Sequence, residues 1–112
     1  VHDTVRVGSG SLICAGVVIQ PDANIGRHVI ANTACSIDHD CTVGDFCHIA
    51  PGVTLAGEVT VGARAFVGAG ATIIQGVHIG TDAIIGAGAV VTKDVLSGDK
   101  VAGVPARKIS NG

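Results

Sequence analysis

A histidine with a carboxylate on either side stands in the run Ile37-Asp38-His39-Asp40-Cys41-Thr42. A neighbouring carboxylate orients an imidazole and raises its basicity, which suits such a triplet to act as a general base. The plain alternative is a solvated surface histidine between two acids. A second histidine, His48, follows in Phe46-Cys47-His48-Ile49, among apolar residues where a polar one is out of place. It could contribute to chemistry or only cap an interfacial hydrogen bond. His2, His28 and His78 read as surface residues. No His-x4-His pair exists among the five histidines, and Cys14, Cys35, Cys41 and Cys47 lack C-x-x-C spacing, so no metal site is expected.

The elements that must position these residues come from a repeat. Steps of six from Val1 reach Val7, Ile13, Ile19, Ile25, Ala31, Ile37, Val43, Ile49, Leu55, Val61, Val67, Ile73, Ile79, Ile85 and Val91. Four places after each lies a second column, from Val5 to Val95, whose members are all small or β-branched. The two inward residues flank one outward residue, which is the alternation of a short strand. Corner pairs such as Ser9-Gly10, Pro21-Asp22, Pro51-Gly52 and Ala69-Gly70 follow, with Gly, Asp and Pro supplying turn angles. A longer beat, Val7-Gly8, Ile25-Gly26, Val43-Gly44, Val61-Gly62 and Ile79-Gly80, recurs every eighteen residues. Three hexads therefore close one triangular coil. The pattern predicts an all-β parallel β-helix of about five coils over residues 1–96, with a C-terminal tail over 97–112. The register is expected to run through sixteen hexads without a break.

On this scheme His39 projects from a corner, with Pro21 one coil below and Gly57 one coil above. Gly57 has no side chain and leaves space beside the imidazole. His48 falls on an outward ladder with Leu12, Ile30, Phe66 and Ile84, an exposed apolar stripe of the kind that closes a rod into a symmetric oligomer. Half a coil separates His39 from His48, so they lie on different parts of one prism and could approach each other across a subunit boundary. Cys35, Cys41 and Cys47 fill the small inward column as core residues on three faces, while Cys14 points outward as a free thiol.

Composition narrows the function classes. A formal net charge of −2 with no basic cluster argues against nucleic acid as a partner. The longest apolar stretch, around Leu12 to Ile19, is too short and too broken by glycine to span a membrane. Reduced cysteines fit a cytoplasmic protein. Thr42 and Thr60 stack, but no Thr-x-Thr array supports a purely structural, ice-binding type of surface.

The segments Ser36-Ile37-Asp38-His39-Asp40-Cys41, Val43-Gly44-Asp45-Phe46-Cys47-His48 and Pro51-Gly52-Val53-Thr54-Leu55-Ala56-Gly57 resemble the sugar branch of the hexapeptide acyltransferases. That branch includes sialic acid O-acetyltransferases and perosamine or UDP-4-amino-sugar N-acetyltransferases. The tail, Gly86-Ala87-Gly88-Ala89-Val90-Val91-Thr92-Lys93-Asp94-Val95 with Ala102-Gly103-Val104-Pro105-Ala106-Arg107, is similar to the closing signature of the wider superfamily. The resemblance implies a left-handed coil and a homotrimer, through the Leu12, Ile30, His48, Phe66 and Ile84 face, with active sites between prisms. It implies acetyl-CoA as co-substrate, a sugar or nucleotide-amino-sugar acceptor, His39 as catalytic base and Asp40 as the acid beside it. His48 and Gly57 would border the acetyl group. Ala69, Gly70, Ala87 and Gly88 would flank the pantetheine arm, and Lys93 and Arg107, with Lys108, would meet the phosphates. Serine- and maltose-type acetyltransferases share the donor and differ in acceptor. Members of the sugar branch usually carry an N-terminal α/β domain, whereas the hexads here begin at Val1, as expected of an excised domain or a short form.

Overall fold

Each hexad closes as one two-residue strand and one corner, because the second corner residue sits at positive φ throughout. From Gly10 to Gly88 every such residue lies between 54° and 77°, including Asp22, His28, Ala34, Asp40, Phe46, Glu58, Arg64 and Asp82. Glycine accepts this region freely and Asp tolerates it, whereas a bulky residue such as Phe46 does so at a cost. The computed structural model describes residues 3–109, which places His2 outside the described residues.

The coils stack as a left-handed parallel β-helix with three flat faces. The first carries the strands Arg6–Val7, Asn24–Ile25, Thr42–Val43, Thr60–Val61 and His78–Ile79. The second carries Leu12–Ile13, Ile30–Ala31, His48–Ile49, Phe66–Val67 and Ile84–Ile85, then Lys100–Ala102 and the antiparallel Arg107–Lys108. The third carries Val18–Ile19, Ser36–Ile37, Thr54–Leu55, Thr72–Ile73 and Val90–Val91. The prism measures 43 × 22 × 21 Å. Among the described residues no helix is long and apolar enough to cross a membrane.

Both inward columns fill the axis. Ile37, Ile49, Leu55, Ile73 and Ile85 are fully buried, as are Cys35 and Cys41. Each large aliphatic removed from water in this way contributes about 1.5–3 kcal/mol. The buried thiols also reach the coil above. Cys41 Sγ donates to the Ala56 carbonyl at 3.1 Å and Cys47 Sγ to that of Gly62 at 2.9 Å. Burial, and secondarily the proximity of Cys14, pushes the Cys35 thiol up to about 11, so it stays protonated at neutral pH. The eighteen-residue glycine beat has a steric cause: a Cβ on Gly44 would lie 2.7 Å from the Ala63 backbone nitrogen, and one on Gly62 2.5 Å from that of Thr81. Ion pairs clip adjacent coils at one edge, Arg27 to Asp45 at 3.3 Å and Arg64 to Asp82 at 2.9 Å. On the same edge His28 stacks on Phe46 with ring centres 5.2 Å apart.

The expectation of sixteen unbroken hexads fails at its last member. By the period Val95 belongs in the column of Val77, yet it bridges to Ile79, and Lys100 and Val101 pair with Ile84 and Ile85. The coil-to-coil step has shortened from eighteen residues to sixteen. A tightened corner at Thr92–Asp94 absorbs the difference, with the Asp94 carboxylate accepting the His78 backbone N–H at 2.9 Å in place of a ladder carbonyl.

Candidate active site

His39 opens the corner between the third and first faces. Its ring is about half exposed, and Nδ1 lies 3.0 Å from Asp40 Oδ2. Asp40, at φ 59°, presents its carboxylate sideways to the ring. An ionised carboxylate only accepts, so Nδ1 carries the proton and Nε2 keeps its lone pair. The Nε2 edge of the ring lies over Gly57, in the place a side chain there would take: a Cβ on Gly57 would stand 2.5 Å from Nε2. The bond to Asp40 raises the His39 pKa above the ordinary histidine value. Partial loss of hydration opposes this, and the charges of Asp38, Asp40 and Glu58 add to it. The ring is therefore more basic than a free imidazole, and about half of it is exposed to solvent.

His48 lies in the middle of the second face. Its ring meets Phe66 edge-on, with centroids 5.1 Å apart, and its Nε2 is 3.3 Å from Asn32 Nδ2. The amide of Asn32 is oriented by its other end, since Oδ1 accepts the Thr33 backbone N–H at 2.7 Å. Asn32 must then donate to His48 Nε2, which leaves the ring proton of a neutral His48 on Nδ1. Sequence reasoning passed over Asn32. The signal was there: Cys14, Asn32, Ala50, Gly68 and Gly86 occupy one column, and Asn32 alone in it carries a polar amide.

The sequence-derived site residues fall into two groups at two different corners of one prism. His39, Asp40 and Gly57 share a corner, and Lys93 continues it: it follows Val91 as Gln75 follows Ile73, with which Val91 pairs. Lys93 and Arg107 line an open groove of about 270 Å³ with Thr92, Pro105, Ala106 and Lys108, and Lys108 is paired to Asp99 at 3.5 Å. The second group occupies the next corner and the face beside it. Ala69, Gly70, Ala87 and Gly88 stack there in the open, and a Cβ on either glycine would meet nothing within 4 Å. His48 and Asn32 border that corner. A larger cavity of about 560 Å³ lies at the lower end, lined by Asp3, Thr4, Val5, Arg6, Asp22 and Asn24. Asp22 stands one coil below Asp40. Among the described residues no group of His, Cys, Asp and Glu is arranged to hold a metal ion.

The apolar stripe is also in place: Leu12, Phe66 and Ile84 are exposed, Ile30 and His48 half-buried, and all five are in lateral register. A family model described as the hexapeptide repeat of succinyl-transferase matches residues 4–21 and 58–93. The structure superposes on a histidine-to-alanine variant of GDP-perosamine N-acetyltransferase from Caulobacter crescentus with a TM-score of 0.97 and 45% identity, over 98% of this chain and 52% of that one. The chain belongs to the hexapeptide-repeat acyltransferase superfamily. Within this superfamily it is also similar to the acetyltransferase domain of PglB from Neisseria gonorrhoeae, with a TM-score of 0.95 and 37% identity over 96% of this chain and 53% of that one. GDP-perosamine N-acetyltransferase of Escherichia coli O157:H7 is 44% identical over 57 residues, 51% of this chain and 26% of that protein. The chain thus spans about half the length of the solved relatives, at 52% and 53%.

Proposed function

We propose that this domain transfers an acetyl group from acetyl-CoA to the amine of a nucleotide-linked amino sugar, as a homotrimer with a site at each boundary between prisms. The observation that carries the reading is the His39 corner, a half-exposed imidazole tethered at Nδ1 by Asp40, its Nε2 edge lying over Gly57 in room that only a glycine leaves. The relatives support the choice of donor and acceptor. The Caulobacter enzyme was crystallised with CoA and GDP-perosamine, in alanine and asparagine variants of one histidine, and the Neisseria domain with acetyl coenzyme A.

In the proposed reaction the acceptor amine attacks the thioester carbonyl carbon while His39 Nε2 takes its proton. The tetrahedral oxyanion collapses, the carbon–sulfur bond breaks, and the departing thiolate recovers a proton from the imidazolium. Asp40 stabilises the imidazolium between these steps. General-base help of this kind is worth about 10²–10⁴ in rate. His48, with its Nε2 occupied by Asn32, has an Nδ1–H to offer the oxyanion.

The two groups of residues become one site when prisms adjoin. One copy supplies His39, Asp40 and Gly57, with Lys93 and Arg107 above them for the CoA phosphates. Its neighbour supplies His48 and Asn32, with Ala69, Gly70, Ala87 and Gly88 along the pantetheine arm. The acceptor approaches from the side of the cavity below Asp40. Residues 1–96 are assigned to the regular hexads and 97–112 to a closing segment that still pairs on the second face through Lys100–Ala102 and contributes Arg107. The free cysteines suit a reducing, cytoplasmic setting.

Mass-detected acetyl transfer from acetyl-CoA to a panel of amino-sugar nucleotides and free sialic acids tests the reading. Acetylation of an amino-sugar nucleotide is the expected result. Acetylation of a sialic acid hydroxyl alone would overturn the acceptor assignment, and failure to bind acetyl-CoA would overturn the donor assignment. The assembly has its own test. Phe66→Asp places a charge in the middle of the apolar stripe, where burial without a partner is strongly unfavourable. The variant should run as a monomer by light scattering. A trimer of Phe66→Asp would remove this face from the interface.

A further inference from the structure

We infer that Asp38 is a positioning residue for His39, holding the corner from which the imidazole projects and lending it a second carboxylate charge. The inference rests on the reading of His39 as the base. Asp38 Oδ1 accepts the backbone N–H of His39 at 2.8 Å, while Asp40 Oδ2 engages the ring. One carboxylate thus holds the ring and the other holds the backbone beneath it. The coil itself does not require the second bond. Glu58 N–H donates to the His39 carbonyl at 2.9 Å and Asp40 N–H to the Pro21 carbonyl at 3.2 Å, which secures the corner to both neighbouring coils. At three other places on the same edge the device is missing: Pro21 has no N–H, and the residues preceding Gly57 and Gln75 are Ala56 and Ile74, which have no side-chain acceptor. It recurs where Asn32 caps Thr33 at 2.7 Å, and Asn32 is the residue that holds His48. Side-chain caps of this kind therefore mark the two corners that serve the two candidate histidines.

The charged groups around the ring are all acidic. Asp38 and Asp40 stand on its own corner, Glu58 on the coil above and Asp22 on the coil below. Neutralising Asp38 therefore lowers the basicity of His39. A base must be unprotonated to act, so activity rises with pH through its titration, and loss of the Asp38 charge moves that acidic limb to lower pH.

Two variants separate charge from geometry. Asp38→Asn keeps an oxygen that accepts the His39 N–H and removes the charge, whereas Asp38→Ala removes both. The His39 ring titration is followed by NMR on the intact chain labelled with ¹⁵N-histidine, beside the pH profile of kcat/KM. Both variants should titrate at lower pH than the parent. Above its titration Asp38→Asn should retain kcat, while Asp38→Ala should lose about tenfold or more, because a displaced base attacks poorly. Its KM for acetyl-CoA and its melting temperature should hold. An unchanged titration in Asp38→Asn together with full kcat in Asp38→Ala would overturn the inference. The NMR titration is read without substrate, so a parent chain that acetylates nothing would defeat the functional reading while the titration still decides the role of Asp38.

Discussion

His39→Ala should lower acetyl transfer by about 10²–10⁴-fold, the usual worth of a positioned general base. The fold should not register the change. The ring is about half exposed, its contact is with the Asp40 carboxylate, and the backbone bonds from Glu58 and to Pro21 survive the substitution. The loss should also have a pH signature. In the parent chain the acidic limb of kcat/KM should lie above the ordinary histidine value, because Asp40 and the charges of Asp38 and Glu58 favour the imidazolium. Residual activity in His39→Ala should lack that limb. Near-parental turnover with the limb intact would assign the base to another group.

Gly57→Ala should be nearly as damaging to activity and equally silent in stability. A Cβ there would stand 2.5 Å from His39 Nε2 and 2.7 Å from Cε1, too close for the ring to remain where it is. The ring is free to swing into solvent, so the collision displaces the base instead of unfolding the coil. Gly57 is not among the glycines at positive φ, and alanine meets no backbone penalty. Displacing a reacting group by about 1 Å can cost about 10² in rate, which sets the expected drop in kcat. The melting temperature should stay within a few degrees of the parent, about what one small surface change produces. Full turnover in Gly57→Ala would mean that Nε2 does not work from above that residue.

Much of this was legible in the order of residues. A column that is aliphatic at every sixth place has few solutions, and Ile37, Ile49, Leu55 and Ile73 lie where the period puts them. The corners were legible from Gly, Asp and Pro. The same period also identified Gly57 as the residue stacked on His39. The last turn was not legible, because Val91 and Val95 keep the apolar spacing of a hexad while the chain between them cuts the corner. A pattern of residue types does not distinguish a regular corner from a shortened one when both ends stay hydrophobic. Asn32 escaped for a different reason. Its importance is a hydrogen bond to a residue sixteen positions away, and nothing in its own hexad announces the partner. Equally, the period could assign His39 and Gly70 to different corners but not say which edges of two prisms meet.

Which edges meet decides whether each site is shared between two prisms. The most direct measurement is complementation between His39→Ala and His48→Ala chains, each assembled alone and then co-assembled in equal amounts. Each variant alone should be nearly inactive. In a closed ring with heterologous contacts, random mixing leaves roughly a quarter of the boundaries with an intact His39 from one copy and an intact His48 from the next. Acetyl transfer should therefore reappear at about that fraction of the parental rate. A mixture no more active than its two components would contradict a site shared between neighbouring prisms.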